Sequence, residues 1–322
     1  MSMLPWMVMA AGAVAADYTS PINPQPLCAA TAPQHHFRIQ FENDAACGED
    51  KNYTHGTRID YVRGTACNEW SYGVSLMQNI YTPERHTRWN NPGEHPYAGC
   101  LLAGVGAIYS TDAFSNTVEL QLGASGRASL AKECQNNLHS ACGMETWDGW
   151  DHQVPTELLF QVSAHQDFNL FDTDSGLGGL QSDGMFFTRE DGGNVRIAGG
   201  VGAAFRCGIN LPSNNYVIGN APGRYGVGLQ RENQYDPTSV SYYLLAQGSV
   251  DYVARDFSID GGMFHHFDQP CSRRPWQAQA TLGLGVSRKG IDYFAGVVYN
   301  SRTYRSQDTN DMYGTFSIMW NW

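Results

Sequence analysis

The sequence predicts an all-β fold, a twelve-stranded antiparallel transmembrane β-barrel with long extracellular loops. Segments of alternating apolar and polar residues recur along the chain, and 35 Gly with 17 Tyr favour strands joined by turns. The last such segment, from Asp311 to Trp322, ends on an aromatic residue. A strand of an outer-membrane barrel presents apolar side chains to lipid and polar ones to the lumen, with aromatic residues at the interfaces. A soluble β-sandwich is the alternative.

The N-terminal segment predicts export. Residues 4–16 form a short apolar run that ends in small residues, as a secretory cleavage site requires, although no Lys or Arg precedes it. We therefore expect a signal peptide over residues 1–16, with a buried helix as the alternative. Residues 17–36 include a proline-rich stretch and are expected to form an extended lead-in, and residues 37–322 the barrel. No run of about 18 apolar residues follows, so a membrane would be crossed by strands.

Twelve strands are predicted from the alternation. In the first, Phe37, Ile39 and Phe41 share one face, and the residues between them are polar. Pairs such as Gly192-Gly193 and Lys289-Gly290 separate neighbouring strands, as tight hairpin turns do. The predicted strands span residues 36–42, 54–63, 70–80, 97–110, 117–125, 156–166, 182–189, 194–208, 239–253, 276–288, 291–302 and 311–322.

The order of the strands predicts where function resides. If the first strand rises from the periplasm, the connections over residues 45–53, 81–96 and 126–155 all gather at the outer mouth. The third is unusually long for a hairpin connection. Because long loops on a rigid scaffold commonly carry binding and catalytic residues, we expect the functional site there.

Charge and cysteine content exclude some functions. With 31 Asp+Glu against 20 Lys+Arg the net charge is -11, which argues against a nucleic-acid partner. Eight cysteines suit an exported chain, and their spacing does not resemble a zinc finger. One disulfide is predicted, between Cys134 and Cys142.

The third loop contains a histidine and a carboxylate in one short stretch. His139 lies between Cys134 and Cys142, and Glu145 follows it. A histidine can take a proton from water near neutral pH, and a carboxylate can fix its tautomer, as a water-activating hydrolase requires. A surface histidine without function is the alternative.

The first loop contains oxygen donors. Asn43 and Asp44 end the first strand, and Thr54 begins the second. Asn and Asp oxygens suit a hard cation such as calcium, and Thr54 could add a hydrogen bond. An ordinary turn, in which Asn and Asp are also favoured, is the alternative.

The chain resembles the outer-membrane lipid A 3'-O-deacylases, the LpxR family, in short motifs that occur in family order. The motifs are Glu42-Asn43-Asp44, Tyr53-Thr54-His55-Gly56, Ile80-Tyr81-Thr82-Pro83, His95-Pro96-Tyr97-Ala98-Gly99, the His139 to Glu145 spacing and Gly149-Trp150-Asp151-His152-Gln153. Any one motif is weak, but the ordered combination is specific. The resemblance covers the chain from Phe37 to Trp322.

The resemblance implies a barrel in the outer membrane of a Gram-negative bacterium. Such a protein removes the acyloxyacyl chain from the 3' position of lipid A in the outer leaflet and depends on calcium. Lipopolysaccharide would be its substrate, and we expect a monomer. The positions that match the family's functional residues are Asn43, Asp44, Thr54, His139 and Glu145, with Asn43 and Asp44 at the metal and Arg88 at the substrate.

Because lipid A is anionic and the chain carries a net charge of -11, substrate approach requires a local basic patch or a bridging cation. The candidates for that patch are Arg85, His86, Arg88 and His95. The chain departs from the family pattern at His55, where Asn is common, and at Glu94-His95, where Asp-Arg is common. The second change replaces an arginine by a titratable cation.

The expected reaction is ester hydrolysis without a covalent intermediate. His139 would take the proton from water, Glu145 would orient or charge the imidazole, and a divalent cation near Asn43 and Asp44 would stabilise the oxyanion. Thr54 would complete the site. Two alternatives stay open: an outer-membrane phospholipase with a serine nucleophile, and a non-enzymatic barrel that acts as a channel or adhesive surface.

Overall fold

The structure is a computed structural model that describes residues 34–65, 69–174, 179–215, 218–219, 223–230, 235–268 and 270–322. The predicted signal peptide and nearly all of the predicted lead-in lie outside the described residues. In the described ranges no helix is long and apolar enough to cross a membrane.

Twelve long strands form one closed antiparallel barrel within these ranges, which confirms the predicted fold class. Each long strand pairs with the next long strand along the chain, and the last one closes the barrel against the first. The barrel strands are β1 His35–Asn43, β2 Asn52–Gly64, β3 Trp70–Thr82, β4 Ala98–Ser110, β5 Phe114–Ser125, β6 Leu158–Asp174, β7 Leu180–Gly193, β8 Arg196–Ile209, β11 Ser241–Asp256, β12 Trp276–Arg288, β13 Ile291–Asn300 and β14 Asp311–Asn321. The two-residue strands β9 Asn214–Asn215 and β10 Leu229–Gln230 pair with each other.

Alternation along the strands sorts the side chains between two environments. In β1, Arg38 and Gln40 are buried in the lumen, and Phe41 faces outward. In β5, Leu120 and Leu122 are exposed on the outside of the barrel, which we call the outer wall. Exposed apolar side chains of this kind are what a transmembrane barrel presents to lipid.

Buried ion pairs lie in the lumen. Arg38 pairs with Asp60 at 2.9 Å, and Arg58 pairs with Glu119 at 3.1 Å. Residues 223–226, which lie between β8 and β11, are also in the lumen, where the ring of Tyr225 lies 4.9 Å from the guanidinium of Arg58. Buried charges need such partners, because removing one partner leaves the other uncompensated in a low-dielectric interior.

Long loops lie at one end of the barrel, which we call the outer rim. They span residues 44–51, 83–97, 126–157, 257–275 and 301–310, and the other end includes the tight turn at residues 289–290. The third loop contains helix α1 (Ala131–Ala141), and the loop after β11 begins with the short helix α2 (Phe257–Asp260). The first three loops therefore meet at one rim, as the strand order predicts.

Candidate active site

A β-bulge turns Thr54 onto the outer wall. The register between β2 and β3 shifts between Tyr53 and His55. Tyr53 points into the lumen, where its hydroxyl donates a hydrogen bond to Glu42 at 2.7 Å. The Thr54 hydroxyl lies 2.6 Å from that of Thr82 and is buried with it. A bulge re-aims one side chain in this way, and it is what removes Thr54 from the lumen.

Helix α1 lies over the outer wall at the top of β3 and β4. Gln78, which faces outward in β3, donates a hydrogen bond to the carbonyl of Ser129 at 2.7 Å, just before the helix. Ala131 packs with the outward-facing Ile80. A Cβ at Gly99 would lie 2.3 Å from the Cβ of Ala131, so only glycine permits this approach. The third loop thereby covers an otherwise lipid-facing part of the barrel.

His139 lies on the buried face of α1, which consists of Ala131, Gln135 and His139 at four-residue intervals. Its Nδ1 lies 2.8 Å from the carbonyl oxygen of Glu145, and a carbonyl can only accept, so Nδ1 carries the proton. The edge of the ring contacts Trp147, with the ring centroids 4.8 Å apart. This arrangement leaves Nε2 as the basic nitrogen.

Asp44 follows β1 in a 3-10 turn whose cap is Asn43, which accepts a hydrogen bond from the amide of Ala45 at 2.9 Å. Oδ2 of Asp44 accepts from the amide of Lys51 at 2.7 Å, and Oδ1 is buried without a partner among the described residues. Burial raises the pKa of Asp44 to about 8, and the neighbouring Asp50 carboxyl adds to the shift. The folded protein therefore holds a proton on Asp44 at neutral pH unless a cation replaces it.

Asp50 lies between Asp44 and the histidines. Burial raises its pKa, and the charges of His86 and His139 act in the opposite direction, which places both rings near the carboxyl. Oδ1 of Asp50 is buried and has no hydrogen-bond partner in the part of the chain that the structure describes. One unpartnered carboxyl oxygen, on Asp50, thus belongs to a carboxyl near the imidazole of His139, and Asp44 lies on the other side of Asp50.

His86 joins the three loops. Its Nε2 donates a hydrogen bond to the carbonyl oxygen of Asp50 at 2.8 Å, and its ring stacks on Trp147 with the centroids 3.5 Å apart. Trp147 in turn contacts His139. The sequence predicts His86 only as part of a basic patch. Thr82 appears in the sequence analysis only as part of the motif Ile80-Tyr81-Thr82-Pro83, with no role given to it. Asp50 and Trp147 are not predicted at all, because no spacing in the chain points to them.

The structure corrects the expected contact between His139 and Glu145. The backbone carbonyl of Glu145 orients the imidazole, and the Glu145 side chain is exposed. A carbonyl suffices because the turn after α1 brings the backbone back to the ring, where the amide of Met144 also donates to the carbonyl of His139 at 2.8 Å.

Two of the predicted substrate-binding residues lie on the outer rim. Arg85 and Arg88 are both exposed in the second loop. Arg85 forms an ion pair with Glu94, and Arg88 lies over the ring of Trp89, 5.8 Å from its centroid. Their role in binding stays a prediction.

The prediction that His95 belongs to a basic patch is wrong. His95 is only 2% exposed and lies inside the barrel, stacked on Tyr81 with the ring centroids 5.2 Å apart. Its Nδ1 donates to the carbonyl of Pro96 at 2.8 Å. Burial lowers the pKa of His95 to about 4, so the ring is neutral at physiological pH and cannot attract a phosphate.

The predicted disulfide is also wrong, because Cys134 and Cys142 are both free thiols. Cys134 lies in α1, and Cys142 is the residue that caps its C-terminus. Eight residues of helix separate two Cα atoms by about 12 Å. A disulfide requires less than about 7 Å. Cys47, Cys100, Cys207 and Cys271 are free as well.

The donor set fits a hard cation in part. Oδ1 of Asp44 and Oδ1 of Asp50 are unpartnered carboxyl oxygens, which calcium prefers. The oxygens of Asn43 and Thr54 already have hydrogen-bond partners. No group of three His, Cys, Asp or Glu side chains placed to hold a metal occurs among the described residues. A cation here would take its other ligands from water or substrate.

Comparison with known proteins places the chain in a family. The family model described as "Outer membrane protein LpxR" matches residues 7–322. The solved structure of LpxR from Salmonella typhimurium superposes with a TM-score of 0.74 at 15% sequence identity, covering 88% of this chain and 99% of that chain.

Two autotransporter domains superpose less well. The β domain of BrkA from Bordetella has a TM-score of 0.44 at 11% identity and covers 91% of this chain and 99% of that one. The translocator domain of NalP from Neisseria meningitidis has a TM-score of 0.40 at 11% identity, covering 89% and 86%. No curated protein matches the chain. Because the family model spans nearly the whole sequence and the barrel has the same fold, this protein of the outer membrane belongs to the LpxR family.

Proposed function

We propose that this protein is a lipid A 3'-O-deacylase, an ester hydrolase that removes the acyloxyacyl chain at the 3' position of lipid A in the outer leaflet. The observation that carries the proposal is the position of His139 on the buried face of α1, with Nε2 basic and the Asp50 carboxyl near the ring. A lipid embedded in the outer leaflet approaches the barrel from its outer wall and reaches this position laterally.

His139 is the general base of the proposed reaction. Nδ1 donates to the carbonyl of Glu145, so Nε2 accepts the proton of a water molecule that attacks the ester carbonyl. The imidazolium that results is stabilised by the neighbouring Asp50 carboxylate, and the contact with Trp147 holds the ring in place. The same imidazolium then returns the proton to the leaving alkoxide.

The first loop supplies the second part of the site. Asp44, with Asp50 beside it, would hold a divalent cation, proposed to be calcium, which supplies positive charge for the oxyanion of the ester. Asn43 fixes the turn that presents Asp44. Thr54 offers a hydroxyl on the same wall, paired with Thr82. Arg85 and Arg88, both exposed on the rim, are proposed to contact the phosphates of lipid A.

The test is deacylation of lipid A by the purified protein in mixed micelles with calcium, followed by mass spectrometry. The wild type should yield lipid A that lacks the 3' acyloxyacyl chain, and His139→Asn should yield none. Chelation should abolish turnover while the barrel stays folded, and added calcium should restore it. Absence of product from the wild type would refute the proposed function. Full activity after chelation would refute only the role of the cation.

One serine–histidine contact favours the serine-hydrolase alternative, but it lies inside the barrel and not on the outer wall. The Ser258 hydroxyl is 3.3 Å from Nε2 of His95. Both residues are buried inside the barrel, and the same hydroxyl donates to Oδ1 of Asp256 at 2.7 Å as part of the cap of α2. A serine-directed covalent inhibitor should leave Ser258 unlabelled and deacylation unchanged. The buried ion pairs that cross the lumen likewise do not favour a channel, which a conductance measurement on the purified protein would check.

A further inference from the structure

Helix α1 has a second apolar stripe beside the one that carries His139. Cys134 and Leu138 lie one turn apart on the same face of α1, and Leu130 directly precedes the helix, four residues before Cys134. Leu130 is 52% exposed and Leu138 is 49% exposed. Cys134, between them, is partly buried against the cluster that contains Ile80 and Trp147. We call these three residues the stripe, and each precedes by one residue a member of the buried face, Ala131, Gln135 or His139.

The backbone at Leu130 gives an independent sign that this side chain is used. Leu130 precedes α1 in the left-handed conformation, with φ 59°. Gly or Asn adopts this conformation more easily than leucine does. An exposed leucine at such a position is unfavourable for the backbone and for solvation in water. Contact with an apolar partner would remove the second disadvantage and would leave the first unchanged.

The stripe continues the lipid-facing surface of the barrel. The start of α1 rests on Gln78, Ile80 and Gly99, and below them in β3 the side chains of Val74 and Leu76 are exposed on the outer wall. Beyond the end of α1, Met144 is exposed too, and its amide donates to the carbonyl of His139. Apolar side chains are therefore exposed on the wall below α1 and also beside the base.

We propose that the stripe of Leu130, Cys134 and Leu138, with Met144 at its end, binds an acyl chain of lipid A. This proposal rests on the proposed function. A chain that lies along α1 brings its ester to His139, because the base is on the adjacent face of the same helix. The hydrophobic effect is non-directional and proportional to area, so the stripe selects for chain length more than for headgroup chemistry. A longer chain covers more of the stripe.

The test compares lipid A substrates that differ only in the length of the 3'-linked acyl chains. The variant Leu130→Asn/Leu138→Gln removes the apolar stripe, and asparagine suits the left-handed conformation at position 130, so the start of the helix is preserved. Phe264→Gln is the matched control, because Phe264 is 63% exposed on the loop after β11 and is not part of α1. Initial rates in mixed micelles give kcat and KM for each substrate.

We expect the double variant to raise KM for the long-chain substrate about tenfold and to leave kcat within about twofold. Its preference for long over short chains should fall by the same factor, and Phe264→Gln should behave as the wild type. Unchanged selectivity would overturn the proposal. So would an equal loss on both substrates together with a change in oligomeric state, because the stripe would then be an interface between two copies of this chain.

A binding measurement separates this proposal from the proposed function. In the His139→Asn background, the fluorescence of the tryptophan introduced by Leu138→Trp should be quenched by lipid A with brominated acyl chains. At a low mole fraction of this lipid A, the quenching should exceed the value expected from random mixing of the lipids. The fluorescence of the tryptophan introduced by Phe264→Trp should show no such excess. If the wild type releases no fatty acid but this quenching is seen, the proposed function fails and the acyl site stands. If turnover is observed without quenching, the acyl site fails and the proposed function stands.

Discussion

The Nδ1 of His139 donates a hydrogen bond to the backbone carbonyl of Glu145 at 2.8 Å, while the Glu145 side chain is exposed to solvent. A backbone carbonyl does not titrate and cannot be removed by a side-chain substitution. The tautomer of the proposed base is therefore set by the path of the chain after α1, independently of the ionisation of Glu145.

The first prediction follows from this contact. His139→Asn should lower kcat by about 10² to 10⁴-fold, the range that general bases supply. Glu145→Gln should leave kcat within about twofold, because the carboxylate does not orient the ring. A loss of kcat in Glu145→Gln as large as that in His139→Asn would show that the carboxylate takes part in catalysis after all.

The second prediction concerns His86, which connects the loops around the base. His86→Ala removes both the hydrogen bond to the carbonyl of Asp50 and the stack on Trp147, so kcat should fall by about tenfold or more from lost positioning. His86→Phe keeps the stack and should retain intermediate activity. His152→Ala is the matched control, because His152 packs against Trp89 between the same two loops, with the ring centroids 4.1 Å apart and the rings tilted by 31°. Equal losses in His86→Ala and His152→Ala would mean a general loosening of the loops.

Alternation was enough to predict the barrel, and strand order was enough to bring the first three loops together. Phe37, Ile39 and Phe41 show the reason, since period two sorts side chains between lipid and lumen in every strand. The same pattern cannot reveal a bulge. Thr54 reaches the outer wall through a register shift at Tyr53 that no Gly or Pro in the sequence marks.

The errors in the predicted site also have local physical causes. The sequence predicts a disulfide between Cys134 and Cys142, but the intervening residues form a helix that separates the two cysteines. His95 is predicted on the rim because it belongs to the loop before β4. At this position the chain already lies inside the barrel, and the side chain is buried. Asp50 and His86 meet only through loop conformation, which no spacing encodes.

The third prediction concerns the thiols. Cys142 is exposed and unpaired, so it should react with iodoacetamide in the folded, unreduced protein. Cys142→Ser should change the free energy of unfolding by less than about 0.5 kcal/mol, as surface substitutions usually do. A disulfide would instead make removal of Cys142 cost about 3 kcal/mol for a loop this short. A peptide map without a Cys134–Cys142 link is the direct check.

The fourth prediction uses the buried His95. Burial lowers its pKa from 6.5 to about 4, although the carbonyl of Pro96 and the charge of Asp256 favour the protonated form. Below pH 6.5 the unfolded chain binds a proton at this position that the folded protein does not bind until about pH 4, so stability falls as the pH falls through this window. Between pH 7 and pH 5 the loss from His95 is about 2 kcal/mol.

His95→Gln keeps a donor for the Pro96 carbonyl and removes the titration. In denaturant unfolding of the detergent-solubilised protein, the wild type should therefore lose about 2 kcal/mol more than His95→Gln on going from pH 7 to pH 5. The other buried histidines contribute equally to both proteins and cancel in the difference. An identical pH dependence in the two proteins would mean that burial does not lower the pKa of His95. His95 would then again be a candidate cation for binding the substrate.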